Sequence, residues 1–111
     1  MSDKKNTNDA PQVTRLADMV EYQTGSIVSR TLVKQSQGSV TLFAFDKDNA
    51  LSEHTAPFDA LLYIVDGDME VTIDGEAYFL TAGETILMPA NHPHAVRAMS
   101  RAKMLLTMIR S

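Results

Sequence analysis

The chain has 111 residues, 44% of them hydrophobic and 22% charged, with a formal net charge of −4 and no cysteine. That composition reads as one ordinary soluble globular domain, long enough to bury a core. It excludes a disulfide framework, thiolate metal sites and a cysteine nucleophile, while the acidic balance and the lack of a long apolar run leave neither nucleic acid nor a membrane as an expected partner.

Residues 1–12 are polar and patternless and read as a flexible N-terminal arm, with a single domain over 13–111. The start of the chain lacks the apolar stretch of a signal peptide, so a cytoplasmic location is expected. The segment from Thr14 to Val20 reads as a short helical turn capped by Thr14, a lid or a brace at most. Strand signals follow. Residues 26–33 and 39–45 are rich in Val, Thr, Leu and Phe, with a turn expected at Gln37-Gly38. In the second run Val40, Leu42 and Ala44 alternate with Thr41, Phe43 and Phe45. A polar break is expected over residues 46–49. The run from Leu61 to Val65 is apolar on both faces and reads as a strand covered on two sides.

Asp74-Gly75 supplies the two positive-φ residues of a type I′ turn. A two-residue loop there pairs Ile73 with Glu76, Val71 with Tyr78 and Met69 with Leu80. Met69, Val71, Tyr78 and Leu80 then share one apolar face. Residues 85–88 form a short strand stopped by Pro89, and residues 94–98 and 103–109 form two more. Many short strands and almost no helix specify a sandwich or barrel.

The chain has three histidines, His54, His92 and His94, all near strand ends. His92 and His94 are two apart, which in a strand places both on one face. With His54 they form a candidate metal set. From spacing alone, the plainer reading of hydrogen-bonded core or rim histidines is favoured. Met88, Met99, Met104 and Met108 read as gap-filling residues rather than copper ligands, and Arg97 and Arg101 as solvated rim charges.

Two segments resemble the signature motifs of the cupin superfamily. Gly83, Pro89 and His94 fall at the spacing of the second motif, with Asn91 and Ala98 standing where the family has glycine and asparagine. In the first motif His54 and Gly67 match, but Ala56 stands at the second histidine position and Ala60 at the glutamate position. The resemblance covers about residues 38–109. It implies an all-β double-stranded β-helix, a jelly-roll barrel of cupin type, with a ligand pocket inside its mouth. By family parity His54, His94, Ala56, Ala60, Leu62 and Ile64 line that pocket, with His92 approaching from its loop.

Two of the four family metal ligands are thus alanine. No cofactor is assigned with certainty. A divalent transition metal (Zn, Ni, Fe or Mn) on His54, His94 and His92 remains the alternative. Two functions follow: a barrel that binds a small apolar or weakly acidic molecule without a full metal-ligand set, or a small-molecule enzyme such as an isomerase, decarboxylase or dioxygenase. The enzyme would be either metal-dependent or metal-free with a histidine base. The doubly apolar strand and family analogy together imply a homodimer joined by outer sheet faces or N-terminal strands.

Overall fold

The computed structural model describes residues 11–110. Most of the expected N-terminal arm lies outside that range. Pro11 and Gln12 are within it, and both are exposed. Among the described residues a short 3-10 helix, Leu16–Met19, precedes strands β1 (Ile27–Gln35), β2 (Gly38–Phe45), β3 (Ala50–His54), β4 (Phe58–Asp66), β5 (Asp68–Ile73), β6 (Glu76–Thr81), β7 (Thr85–Met88), β8 (His94–Ala98) and β9 (Ala102–Arg110). The larger sheet has the order β1-β2-β9-β4-β7 and the smaller β3-β8-β5-β6. The strand pairs are antiparallel. The two sheets face each other as the halves of a jelly roll.

Rows of inward side chains cross each sheet. On the larger sheet Ile86, Leu62, Leu106, Thr41 and Thr31 form one row, with Met88, Ala60, Met108 and Ser39 beside it. On the smaller sheet the rows are Ala98, Met69 and Leu80, then Val96, Val71 and Tyr78, then His54, His94 and Ile73. The large apolar members of these rows join one packed core, while Thr31, His54 and Tyr78 at the row ends stay exposed. Fully burying a side chain of this size stabilises by roughly 1.5–3 kcal/mol.

The β5–β6 hairpin has the register its turn dictates, with Ile73 opposite Glu76, Val71 opposite Tyr78 and Met69 opposite Leu80. Asp74 and Gly75 both have positive φ, at 52° and 82°. Both faces of β2 are apolar for a physical reason. Phe43 and Phe45 point into the barrel, whereas Leu42 and Ala44 lie on its outside beneath Leu16, Met19, Val20 and Tyr22. The N-terminal segment therefore braces the outer face of the larger sheet.

Four details differ from the sequence reading. The short helical turn is a 3-10 helix, and its cap is not Thr14: Arg15 holds the N-cap position without a side-chain bond, and the Thr14 hydroxyl lies 3.4 Å from the Met19 sulfur. The β1–β2 turn falls on residues 36–37, because Gly38 already pairs with Gln35 and Ile109. A Cβ at Gly38 would overlap the Met108 carbonyl oxygen. Strand β3 was not legible, since Ser52 and Glu53 are exposed and a bulge breaks its pairing with β8 between Leu51 and His54. Strand β4 begins three residues before Leu61, and its outer residues Leu61 and Tyr63 are exposed rather than covered.

Strands β6 and β7 are edges of different sheets. Between them runs a seam, a hollow of about 750 Å³ bordered by Tyr78, Phe79, Leu80, Thr85 and Ile86.

Candidate functional site

His54 ends β3 and His94 begins β8, and the two are direct cross-strand partners. Their rings meet edge to face, with centroids 4.4 Å apart at 67°. His94 is 8% exposed and continues the inward row of Val96 and Ala98. His54 is exposed at the rim.

The loop before His94 is pinned from several sides. Asn91 has φ 67°, and its N–H donates to the Ala56 carbonyl at 2.8 Å. The Ala90 N–H donates to Asp59 Oδ1 at 2.9 Å. The Asp74 N–H donates to the Pro93 carbonyl at 2.9 Å. This irregular backbone removes the strand parity that would have set His92 beside His94. His92 instead turns to the β5–β6 hairpin, where its Nδ1 lies 2.7 Å from Asp74 Oδ2. Asp74 was legible only as a turn residue. Its role in holding His92 had no signal, because the two are 18 positions apart.

The chemistry of the pair follows from what surrounds each Nδ1. His54 Nδ1 is 2.8 Å from the Ser52 carbonyl oxygen, and His94 Nδ1 is 3.2 Å from the His92 carbonyl oxygen. A carbonyl only accepts, so each Nδ1 carries a hydrogen. In the neutral rings each Nε2 then bears a lone pair. Burial pushes the His94 pKa below the ordinary imidazole value, and the neighbouring His54 pushes it the same way.

Of the other residues assigned to the pocket, three lie in the packed core. Ala60, Leu62 and Ile64 are 3%, 0% and 0% exposed and pack within the core. Ala60 sits between Met88 and Met108 in its row. Ala56 is half-buried beside the pinned loop. Hollows open along β6, under the N-terminal segment and at the end of the larger sheet where β1, β2 and β9 meet, and no histidine borders these. Met88 and Met104 fill the core, and Met108 packs against it. Arg97 pairs with Glu70 and Asp48, and Arg101 with Asp46.

With these motifs on one barrel, the comparisons are decisive. The Cupin domain family matches residues 41–110. The chain belongs to the cupin family. A conserved protein of unknown function from Streptococcus pyogenes is 36% identical, with 96% of this chain and 93% of that one covered and a TM-score of 0.89. A cupin superfamily protein from Desulfitobacterium hafniense is 26% identical over 91% of this chain and 94% of that one, at a TM-score of 0.86. A cupin 2 conserved barrel domain protein from Leptotrichia buccalis is 41% identical, at a TM-score of 0.82. The match takes in 85% of this cupin and 46% of that chain, so this cupin spans about half its length. No curated protein matches.

Cupins often bind metals, and the donor set here was tested against that. His54 and His94 have the orientation of ligands, with Nδ1–H tied to a carbonyl and Nε2 turned free. The remaining two family positions are Ala56 and Ala60, which offer no side-chain donor. His92 is engaged by Asp74, and Asp59 by the Ala90 N–H. Among the described residues no group of three or more His, Asp or Glu side chains is arranged to hold a metal ion. The residues present do not fit a family-type metal centre.

Proposed function

We propose that this cupin binds a small molecule carrying a hydroxyl donor at the rim of the barrel, against His54 and His94. The observation that carries the reading is the pair of adjacent imidazoles whose Nδ1 atoms face backbone carbonyls. Two neighbouring Nε2 acceptors suit an alcohol, a phenol or an enol, each of which donates an O–H. A carboxylate anion offers no proton and would require a ring to be charged first, which burial opposes at His94. The ligand would sit on the pair rather than deep in the barrel, since the interior is packed.

A catalytic reading rests on the same lone pair. A buried imidazole that stays neutral near pH 7 is a competent general base. Metal-free proton transfer at a carbon beside the bound hydroxyl or enol would then be the reaction.

Nitrogen-15 spectra of the histidine side chains test the binding reading. The expected result is the Nδ1–H tautomer for His54 and His94, with both Nε2 signals moving on addition of phenol, catechol or a short polyol. Acetate at the same concentration should leave them in place. Unmoved His54 and His94 signals across the whole panel would refute the reading. Incorporation of solvent deuterium into a bound compound, lost in His94→Gln, would separate catalysis from binding alone.

A further inference from the structure

We infer that Asp74, at the tip of the β5–β6 hairpin, is a positioning residue that sets the tautomer of His94, although no hydrogen bond joins the two side chains. The consequence for binding rests on the reading proposed above; the link itself is structural. It runs through the peptide unit between His92 and Pro93. The carbonyl of that unit is the acceptor that keeps a hydrogen on His94 Nδ1, at 3.2 Å, against 2.8 Å between the Ser52 carbonyl and His54 Nδ1. Proline has no N–H, so the unit cannot be tied down through its own amide. The His92 N–H reaches the Pro89 carbonyl only at 3.4 Å.

Asp74 grips the chain on either side of that unit. Its N–H donates to the Pro93 carbonyl at 2.9 Å, and its Oδ2 lies 2.7 Å from His92 Nδ1. A carboxylate only accepts, so the His92 ring is the donor. Asp74 is itself well placed to hold on, because β5 stays paired with β8 up to Ile73, opposite His94. Which nitrogen of a neutral imidazole carries the hydrogen is set by the bond its other nitrogen makes. If the His92 carbonyl swings away, His94 loses the acceptor at Nδ1 and takes the mixture of tautomers a free imidazole has. For part of the time Nε2 then carries the hydrogen, and it opposes an O–H donor instead of accepting from it. His54 is spared, since its acceptor lies two residues back in its own strand.

Nitrogen-15 spectra of the full chain without ligand test the link. Asp74→Gly removes the carboxylate but keeps the N–H and the positive φ, since a Gly-Gly pair also forms this turn. In that variant His94 should pass from Nδ1–H to a tautomer mixture, its two nitrogen signals drawing together, while His54 keeps Nδ1–H. His92→Ala, a change at a half-exposed side chain, should do the same from the other end of the link. Asp74→Asn, whose amide oxygen still accepts, should keep the wild-type pattern. Phenol binding should weaken about fivefold in Asp74→Gly, the loss of roughly one net hydrogen bond, and hold in Asp74→Asn. A His94 that stays Nδ1–H in both Asp74→Gly and His92→Ala overturns the inference, as does a His54 that changes as much as His94. Wild-type signals that ignore phenol would refute the binding reading instead, and the ligand-free tautomers would still decide the role of Asp74.

Discussion

Between the His92 carbonyl, the His54 ring and the end of the core, the His94 imidazole has little water with which to stabilise a positive charge. Unfolding frees the ring to protonate at the ordinary value of about 6.5, so the unfolded chain binds more protons than the folded one just below that pH. The stability tied to a neutral His94 is complete above that value. It is lost as pH falls through the lowered folded value. Melting temperature should therefore drop on going from pH 8 to pH 5, and His94→Gln should flatten that drop. A second loss is expected in stronger acid from Asp46. The Gly25 N–H, and after it Arg101, hold this carboxyl below its ordinary 3.8, so its contribution disappears only as pH falls through that lower window. The alanines at positions 56 and 60 make a complementary prediction. Ala56→His with Ala60→Glu restores the missing donors, and calorimetry should then show stoichiometric uptake of Zn²⁺ or Ni²⁺, far tighter than by the wild type. An unchanged affinity would mean that the backbone around Ala56 no longer offers ligand geometry.

Among the elements, two glycines with nearly the same φ carry different loads. Gly75, at φ 82°, closes the hairpin in open space, and a Cβ there meets nothing within 4 Å. Gly67, at φ 79°, lies against β9, and its Cβ would overlap the Arg101 carbonyl oxygen and come within 2.9 Å of the Ala102 Cα. Gly75→Ala should cost about 1–2 kcal/mol, the penalty of a left-handed residue alone. Gly67→Ala should cost more than about 4 kcal/mol, since backbone cannot move aside as a side chain can. Chemical denaturation of both variants measures the gap. The N-terminal brace is tested similarly. Val20 is buried between the 3-10 segment and β2, and Val20→Ala removes two methyl groups worth about 2 kcal/mol. If the denaturation midpoint does not move, the segment is not held in place.

For the whole molecule, the barrel was legible because its signals were local and redundant. Asp74-Gly75 fixed a hairpin register by turn geometry alone, and the apolar runs of β2, β4 and β9 needed only their period. His54 and His94 were legible because the resemblance to the two family motifs singled them out, and the β3–β8 register then sets them directly opposite each other. His92 was not. Its direction depends on Asn91 in a left-handed conformation and on Pro93, and neither obeys strand parity. Leu62 and Ile64 were read as lining because parity reports which way a side chain points, but not whether another side chain fills the space in front of it. That depends on Met88, Met104 and Met108, which converge from elsewhere in the chain. Strand β3 has its apolar content in Ala50 and Leu51 alone, too little for periodicity to register.

The seam between β6 and β7 has a dynamic consequence. No ladder ties these two strands to each other, so a modest outward swing of the hairpin would wet Leu80 and Ile86 while leaving most of the backbone pairing intact. Amide exchange measured by mass spectrometry should be fastest, within the paired strands, along these two borders and slowest in β9, which is flanked on both sides.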